Sequence, residues 1–571
     1  MESTWAQRES EKMLSVEGFD EVVTQFLATR GFKDSQSVHD FLFYNLKNLK
    51  DPLSLLGMDK AVERLTTAKK TQEAICVYGD FDMDGTPALA LMYRGLKGLG
   101  FKNIFYCQPD RHADGYGFHF HLAEKFIQQN NVKVFITVDV GITDVENIKK
   151  VQSLGVDVIL TDHHQVLDEI PQAFCIVNPN QPDCTSGLGF LCGTGVGFYL
   201  IMALRRHLKE QNLLENDFDI KSLLDCFAIG TVADLVPLVK ENRILVKHGL
   251  KVLEKTSMVG IRMLLEALKM NDKVLRAQDV AIRFVPKLNS LTRLDVELKP
   301  IDIFMVEDPA KAALMVQTVL KNNDHRVALL DEAEALLETM ILQKSIRDSQ
   351  SDVLFFWSEH FHKGLVGLLA TQLVNRFQRP AFVGALTKKG VIVGSARAPN
   401  GSSVSVLKAL QDSSAYLNKF GGHLAAAGFE LSPEKVEDFE RALIQSLSHS
   451  VDLALTQKYD LKIDFHGIQG FMKSWDSLEP FGQNFSTPVF LVDALKVQKV
   501  TTMKGTHLKT SFADPKGFLM ECVWFFPQNL DYFASSKEKT YSILCEPQWN
   551  EFMGSRRIQL LLKDIKETVC G

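Results

Sequence analysis

Residues 156–164 are Val156-Asp157-Val158-Ile159-Leu160-Thr161-Asp162-His163-His164, an apolar run that ends on a carboxylate and two imidazoles. A buried β-strand with this ending places potential metal ligands at the rim of a sheet. In open α/β sheets, ligand sites form at the carboxyl ends of the strands. The stretch therefore predicts a sheet with a chemical site at its edge.

The same arrangement occurs twice upstream, where apolar runs precede Asp80 and Asp139. Between these runs, short β-branched segments alternate with longer helical patterns, which is typical of βαβ units and a parallel sheet. The predicted strands are Ile75–Tyr78, Ile104–Tyr106, Val134–Val138, Val156–Leu160 and Ile176–Val177.

The carboxylates have the chemistry of a metal site. Asp80, Asp82 and Asp84 alternate along the chain, so an extended backbone would present them on one face. Three carboxylates on one face repel each other unless a cation lies between them. Oxygen ligands combined with imidazole favour Mn²⁺ or Mg²⁺, and two such ions can hydrolyse a phosphodiester.

Further ligands are available at the other acidic positions. Asp139 is a candidate bridging ligand, and His163 would complete one ion and leave His164 to contact the phosphate. Asp234 is a fourth acidic candidate because it closes the apolar segment that begins at Gly230.

Each of these features has a simpler interpretation when taken alone. An Asp triplet before a glycine is often a loop or a Ca²⁺ site, and a His-His pair is often surface or core. A single Asp139 or Asp234 would more often be a helix N-cap. Their joint occurrence at successive ends of apolar runs is what favours a metal-dependent hydrolase.

Composition limits the classes of protein. A length of 571 residues requires several domains, and the interrupted apolar stretches predict no transmembrane helix. Nine cysteines without Cys-x-x-Cys spacing argue against a zinc ribbon, and they predict a reducing, cytoplasmic location. The net charge of −6 gives no general attraction for nucleic acid, although residues 496–563 contain ten Lys or Arg against six Asp or Glu.

The rest of the chain has its own pattern. Residues 1–70 and about 240–350 are predicted to be mainly helical, and a second α/β region follows from Val353. From Leu461, short strands with frequent turn signals predict a small β-barrel such as an OB-fold.

Three segments carry a resemblance to a known family: Gly79–Gly85, Val138–Thr143 and Thr161–His164 resemble the DHH phosphoesterase superfamily. Within it, Pro109–Gly117, Leu191–Gly193 and Gly230–Leu238 resemble the RecJ family of single-strand-specific 5′→3′ DNA exonucleases. The resemblance extends from Phe26 to Ile565. It implies that two Mn²⁺ or Mg²⁺ ions are held by Asp82, Asp84, Asp139, His163 and Asp234. It also implies that Asp80 and His164 lie in the same site and act in catalysis with Asp139.

The implied architecture is α/β, with two α/β lobes joined by a long helix and followed by a C-terminal OB-fold β-barrel. The expected domains are a helical segment packing on the catalytic domain (1–70), the DHH catalytic domain (71–300), a connecting helix (301–350), a DHH-associated substrate-binding domain (351–452) and the OB-fold (453–571).

Two stretches are expected to hold the substrate. Phe420–Gly428 is predicted to be a glycine turn that feeds a helix of small residues, which would suit a phosphate, although tight helix–sheet packing is the alternative. It resembles the Gly-Gly-His motif of the associated domain, which implies substrate binding by Gly421, Gly422 and His423. Gly394–Arg397 resembles the partner motif, so Ser395 and Arg397 would hold a terminal phosphate, unless Arg397 is simply solvated.

Further phosphate contacts are expected from Arg111, Asn289 and Arg293. Between the last two, Ser290-Leu291-Thr292 stands where the family usually has Ala-Ala-Gly, which adds bulk to a loop near the expected strand path. In the OB-fold, the residues available to a single strand are Lys509, Arg556, Arg557, Trp524 and Phe525.

The resemblance implies an exonuclease that releases mononucleotides from single-stranded DNA in repair and recombination. The alternatives are a DHH phosphoesterase of short oligonucleotides or cyclic dinucleotides, and a non-catalytic RecJ-like replication scaffold. The expected partners are single-stranded DNA, a single-strand-binding protein and a RecQ-type helicase. The protein is expected to be a monomer and not to bind a membrane.

Overall fold

The computed structural model describes residues 4–10, 15–111, 113–294, 296–344, 353–399, 402–448, 456–503, 507–525, 527, 532–533, 539–552 and 555–568. The chain forms two compact units. One contains Pro286–Pro300 and Ala313–Thr456, and the other contains Trp5–Val285, Ile301–Ala312 and Gln457–Gly571. We call them the smaller and the larger unit.

Helices and strands alternate through most of the chain. The strands are β1 Thr4–Gln7, β2 Ala74–Gly79, β3 Ile104–Cys107, β4 Val132–Val138, β5 Asp157–Thr161, β6 Cys175–Val177, β7 Leu354–Ser358, β8 Ala381–Leu386, β9 Ile392–Arg397, β10 Lys419–Gly422, β11 Ala426–Leu431, β12 Thr456–Tyr459, β13 Leu461–Lys462, β14 Phe490–Met503, β15 His507–Ala513, β16 Leu519–Phe525, β17 Thr540–Phe552 and β18 Ser555–Thr568.

The helices are α1 Glu21–Thr29, α2 Ser35–Leu42, α3 Met58–Thr71, α4 Gly85–Gly98, α5 Phe120–Asn130, α6 Val145–Ser153, α7 Gly193–Glu210, α8 Leu224–Ala233, α9 Lys240–Leu253, α10 Val259–Ala267, α11 Ala277–Asp279, α12 Val285–Arg293, α13 Pro300–Met305, α14 Pro309–Gln343, α15 Val366–Phe377, α16 Val406–Asp412, α17 Val436–Leu447, α18 Phe465–Met472 and α19 Trp475–Leu478. Among the described residues, no helix is both long enough and apolar enough to cross a membrane.

The larger unit contains the sheet that the opening stretch predicts. Its order is β3-β2-β4-β5-β6, and every pairing in it is parallel. Helices α5 and α6 cover one face, where Ala123, Ile148 and Val151 join Tyr78 and Phe135 in a buried cluster. The all-apolar strands follow from this coverage, because a parallel sheet is buried on both faces. The predicted α/β sheet is confirmed, with each strand at its expected place.

The first 70 residues do not pack as one segment on the catalytic domain, contrary to the expectation. Helices α1 and α2 enter the core of the C-terminal domain, where Phe26 and Leu42 are buried with Phe471 and Phe485. Helix α3 packs against the parallel-sheet domain, on α7 and β6, and the segment just before it also contacts this domain, for example through Lys50, which donates to the carbonyl of Ser186. The apolar faces of α1 and α2 were visible in the sequence, but their partner lies more than 400 residues away along the chain.

The smaller unit has a second α/β arrangement, as expected. Its sheet has the order β10-β11-β9-β8-β7, and only the β7–β8 pair is parallel. Helices α14 and α15 pack on one face, and α16 and α17 pack on the other. The long helix α14 begins at Pro309, which is earlier than the helical pattern around residues 329–346 had indicated.

The C-terminal sheet has the strand order β13-β14-β15-β16-β18-β17. Strand β14 pairs with both β15 and β17, so the last strand of this order also pairs with the second. The β16–β18 pair is parallel, whereas the neighbouring pairs are antiparallel.

Candidate active site

The site begins at three neighbouring strand ends in the larger unit. Asp80 follows β2, Asp139 follows β4 and Asp162 follows β5. Because β2, β4 and β5 are adjacent and parallel, their carboxyl ends meet at one edge of the sheet. The structure therefore places these three acids together at the sheet edge where the sequence pattern predicted a site.

The structure brings all seven predicted metal-site residues together. Their ligand atoms form three overlapping groups, each with its atoms within 4.8 Å of one another: Asp139, His163 and His164; Asp84, His163 and Asp234; and Asp80, Asp82 and Asp139. Asp139 and His163 each belong to two groups. The donors therefore form adjoining sets, as two neighbouring ions require.

His163 lies at the centre of this arrangement. Its Nε2 is 3.1 Å from Asp139 Oδ1, 3.7 Å from Asp84 Oδ2 and 3.8 Å from Asp234 Oδ2. Burial lowers the pKa of His163, which favours the neutral imidazole that a metal ion needs.

The Asp80–Asp84 segment differs from the extended strand that we expected. It is a turn in which Asp82 Oδ1 accepts the backbone N–H groups of Asp84 and Gly85, at 2.8 and 2.9 Å. Asp80 and Asp82 nevertheless join the same ligand group, because the turn folds their carboxylates over the strand end. Asp80 and Asp82 are brought together as predicted, Asp84 belongs to a neighbouring group, and the predicted extended backbone is wrong.

The N-terminus of α7 fixes Asp84. Its carboxylate accepts the backbone N–H groups of Gly193 at 2.6 Å and Thr194 at 2.9 Å. No side chain fits at Gly193, since a Cβ there would lie 2.4 Å from Asp139 Cβ. Sequence reasoning missed Gly193 and Thr194 as site residues, although Gly193-Thr194-Gly195 at a helix start was an available signal.

Asp139 has a left-handed backbone, with φ of +63°. This conformation is uncommon for a residue other than glycine, and it is found preferentially at functional sites. Gly141 follows with φ of +120°. The turn directs the Asp139 carboxylate towards His163 rather than along the strand.

The electrostatics of the site fit a bound cation. Asp80 Oδ1 and Asp139 Oδ1 are buried and accept no hydrogen bond within the described residues. Burial and then Asp82 raise the pKa of Asp80, and burial and then Asp84 raise the pKa of Asp139. Burial and then Asp84 raise the pKa of Asp234 to about 8. A divalent cation would supply the charge that these oxygens lack.

Asp162 turns inward and belongs to none of the ligand groups. Its carboxylate accepts the backbone N–H of Ile142 at 2.9 Å and is 2.7 Å from His164 Nδ1. Burial acts against ionisation, but the hydrogen bond from His164 lowers the pKa of Asp162. Burial also opposes charging of His164, yet Asp162 raises the pKa of His164 to about 9. Asp162 therefore orients and charges His164.

Three amide side chains that sequence reasoning missed hold the ligand backbone. Asn178 donates to the carbonyl of His164 at 3.0 Å, and Asn180 donates to that of His163 at 2.5 Å. Gln108 donates to the carbonyl of Asp80 at 2.7 Å. Asn178-Pro179-Asn180 directly follows β6, so its position at the next strand end was the available signal.

Arg111 lies beside the ligand groups, with its guanidinium 5.5 Å from the ring centroid of Phe81. Its side chain is exposed. Tyr116, from the same segment, has its hydroxyl 3.5 Å from both ring nitrogens of His164.

The remaining substrate candidates belong to the smaller unit. Arg397 on β9 donates to Ser395 Oγ at 2.7 Å. A Cβ at Gly367, in the first turn of α15, would lie 3.1 Å from Arg397 Nη2, so the guanidinium lies beside a helix N-terminus. Burial lowers the pKa of Arg397. This grouping of a cation, a hydroxyl and a helix start suits an anion.

The predicted helix of small residues at Phe420–Gly428 is wrong. The stretch contains the antiparallel hairpin β10–β11, in which Gly422 pairs with Ala427. Gly422 has φ of +143°, and a Cβ there would lie 2.5 Å from Ala427 Cα. Gly421, Gly422 and His423 are exposed along the hairpin. Small residues are needed here for the close approach of two strands.

Ser290-Leu291-Thr292 also differs from its expectation, because the segment lies in α12 rather than in a loop. All three side chains are buried. Ser290 Oγ accepts a hydrogen bond from Asn322 of α14 at 3.1 Å. Asn289 is in the same helix, and Arg293 at its end donates to the carbonyl of Gly364 at 3.1 Å.

In the C-terminal domain, some of the residues predicted to contact a single strand have partners within the protein. Arg556 is 2.8 Å from Asp476, and Lys509 is 3.0 Å from Glu521. Trp524 packs against the core, whereas Phe525 is 51% exposed. Arg557 is also exposed, so Phe525 and Arg557 are the more accessible of the five.

Comparisons with known proteins identify the family of the chain. Three family models match the chain. The model of the DHH family (N-terminal domain) matches residues 74–231, the DHHA1 domain matches 350–449, and the RecJ OB domain matches 459–564. The single-stranded-DNA-specific exonuclease RecJ of Salmonella typhimurium is 30% identical over 563 residues, covering 95% of this chain and 95% of that protein.

Two solved structures are similar as well. RecJ of Thermus thermophilus in complex with Mn²⁺ is 24% identical, with a TM-score of 0.79 over 96% of this chain and 76% of that chain. An exonuclease RecJ bound to manganese is 30% identical, with a TM-score of 0.59 over 70% of this chain and 96% of that chain. The fold and the site define a DHH-type protein with a DHHA1 domain and an OB domain. Within that class, the chain belongs to the RecJ family.

Proposed function

We propose that this protein is a single-strand-specific 5′→3′ DNA exonuclease that releases mononucleotides with the help of two Mn²⁺ or Mg²⁺ ions. The observation that carries the proposal is the convergence of Asp80, Asp82, Asp84, Asp139, His163, His164 and Asp234 at one sheet edge. The RecJ relatives have the same substrate in their names, and the OB domain supplies a module that commonly binds single strands.

The residues that would hold the two ions are Asp82, Asp84, Asp139, His163 and Asp234, with Asp139 shared between them. When bound, such ions lower the pKa of an attacking water and offset charge on the leaving oxygen. His164, charged through Asp162, would donate to an oxygen of the scissile phosphate. Asp80 would contribute a further buried oxygen beside Asp82.

Several residues are proposed to contact the substrate. Arg111 would bind a phosphate beside the metal ligands. Ser395 and Arg397 would bind the terminal phosphate, helped by the N-terminus of α15. The other proposed contacts are Asn289, Arg293, Gly421, Gly422 and His423.

Incubation of a 5′-labelled single strand and its duplex with Mn²⁺, followed by excess chelator, tests the proposal. We expect mononucleotides from the single strand alone and no further release after chelation. Hydrolysis confined to dinucleotides, short oligonucleotides or cyclic dinucleotides would replace the proposal with a small-substrate phosphoesterase. DNA binding without hydrolysis would indicate a replication scaffold.

We further propose a monomer that acts in the cytoplasm in DNA repair and recombination, with a single-strand-binding protein and a RecQ-type helicase as partners. The proposed domain limits remain 71–300, 301–350, 351–452 and 453–571. Pro286–Pro300 clusters with the smaller unit. The boundary at residue 300 is therefore the one that limited proteolysis would best test.

A further inference from the structure

Four basic side chains lie together on α9 and on the turn before α8, at a distance from the metal ligands. They are Lys221, Lys247, His248 and Lys251, and we call them the α9 basic surface. Lys247 and Lys251 are one helical turn apart, so they share a face of α9. Burial and then the charges of Lys251, Lys247 and Lys221 lower the pKa of His248, which shows that the four groups are neighbours.

Helix packing fixes where this surface lies. A Cβ at Gly249 would be 2.3 Å from the carbonyl oxygen of Leu224, so this part of α9 contacts the start of α8. Asp234 caps the other end of α8, ten residues further on. At about 1.5 Å per residue, the contact at Gly249 is about 15 Å from Asp234 along α8, and Lys247 and Lys251, on the opposite face of α9, are at least as distant.

The nearby carboxylates do not neutralise the surface. Glu479 accepts hydrogen bonds from Arg276 at 3.0 Å and from Trp475 at 2.8 Å. Glu254 accepts the backbone N–H of Leu275 at 2.9 Å. Asp219 is 3.8 Å from Lys221, and both side chains are more than 60% exposed, which makes that pair weak.

Lys247 and Lys251 therefore have no ion pair with any residue that the structure describes. Grouped like charges repel each other, and Lys247 is only partly exposed, so water screens it incompletely. A bound polyanion would relieve this repulsion. In a chain with a net charge of −6, such a grouping is a local exception to the overall charge.

We propose that the α9 basic surface binds the phosphate backbone of the substrate strand at nucleotides remote from the one being cleaved. The inference rests on the proposed function, which brings a polyanionic strand to Asp234. A strand whose cleaved end lies at the metal ligands must extend at least about 15 Å, the length of α8, before it reaches the surface. Very short substrates would therefore not reach the surface.

The Lys247→Gln/Lys251→Gln double variant tests this surface on single strands of about 20 and about three nucleotides. We expect its kcat/KM to fall about tenfold on the long strand and to stay unchanged on the short one. Equilibrium binding of the long strand in chelator should weaken by a similar factor. The slope of log affinity against log salt should become shallower by about 1.4, since each lost contact to a single strand contributes about 0.7.

Lys149→Gln/Lys150→Gln is the matched control, because it removes the same charge from exposed positions on α6. An equal loss in the control would mean that net charge alone is responsible and would overturn the inference. Equal losses on both substrate lengths would also overturn it, because the effect would then lie at the metal site. So would unchanged binding of the long strand, or a preference of the surface for an acidic peptide over DNA. If the wild-type protein bound no single strand, the proposed function itself would fail.

Discussion

Asp139, like His163, connects neighbouring groups of candidate ligands. It belongs to two of the three ligand groups, its Oδ1 accepts no hydrogen bond among the described residues, and its backbone is left-handed. In the proposed role of a shared ligand, Asp139 would be needed for chemistry but not for holding the strand. Its role can therefore be separated from DNA binding.

Asp139→Asn should lower the cleavage rate about 1000-fold or more, because one amide oxygen cannot serve two ions. Asparagine also tolerates a positive φ, so the turn should persist. Single-strand binding in chelator should remain within about threefold of wild type. The control is Asp168→Asn, which changes an exposed acid. Normal cleavage by Asp139→Asn would contradict the bridging role.

Gly193 tests how closely α7 must approach the ligands. Gly193→Ala should lower cleavage about 100-fold and weaken Mn²⁺ binding, because its Cβ would lie 2.4 Å from Asp139 Cβ. The matched control is Gly197→Ala in the same helix, where a Cβ would meet only the end of Met92 at 3.5 Å. That variant should retain activity and gain helix stability. Equal activity of the two variants, measured with the labelled strand, would rule out the steric argument.

Residue types indicated the candidate ligands, but they did not indicate which way each side chain points. Asp162, His163 and His164 are consecutive, yet only the two histidines join the ligand groups. Asp162 faces inward because it accepts the N–H of Ile142, which comes from the loop after the neighbouring strand. That partner is set by tertiary structure, so a linear pattern could not distinguish the three roles.

At the scale of elements, helices and strands were predicted correctly where the sequence shows a clear hydrophobic period. The strands of the parallel sheet are short all-apolar runs between helical patterns, so alternation alone located them. In Ala426–Leu431, the buried residues Ala427, Phe429 and Leu431 alternate with more exposed ones, which is a strand pattern. The small residues of this stretch obscured that period and led to the wrong prediction of a helix.

Arg243 of α9 connects three chain segments that are distant in sequence. Its guanidinium donates to the carbonyls of Leu478, Glu479 and Pro480, and it stacks over Phe41 at 4.2 Å. Arg243 is 2% exposed. No sequence period signals such a contact, because its acceptors are backbone atoms.

Arg243→Met should lower the free energy of unfolding of the larger unit by about 3 kcal/mol. The substitution leaves buried carbonyls without donors, whereas the methionine retains much of the apolar volume. Guanidinium denaturation followed by tryptophan fluorescence measures the change. Arg262→Met, an exposed position on α10, should change stability by less than about 0.5 kcal/mol. Similar stabilities of the two variants would show that the junction does not depend on Arg243.

At the scale of the whole molecule, the sequence indicated the order of the domains but not their partners. Helices α1 and α2 complete the core of the C-terminal domain, and this pairing joins the two ends of the chain in one cluster. Removing residues 1–50 should therefore expose the C-terminal core rather than the parallel sheet. The sequence pattern of an amphipathic helix indicates that one face is buried, but it does not identify the surface that covers that face.

At the scale of the whole protein, the buried acids of the candidate site should lower the stability of the folded state when no metal ion neutralises them. The pKa of Asp234 is raised from 3.8 to about 8, and those of Asp80 and Asp139 are also raised. The folded state therefore binds more protons than the unfolded state between these pH values. In chelator, stability should fall as pH rises from about 4 to about 8. Mn²⁺ at 100 times its Kd should restore about 2.7 kcal/mol at pH 8.

Thermal unfolding at several pH values, with chelator or with Mn²⁺, measures this linkage. In Asp139→Asn, one of the raised carboxyl groups is absent, so the fall in stability with pH should be shallower and Mn²⁺ should stabilise the protein less. The exposed variant Asp168→Asn should behave like wild type in both conditions. Stability in chelator that rises between pH 5 and pH 8, with no response to Mn²⁺, would contradict the assignment of these carboxylates to a cation site.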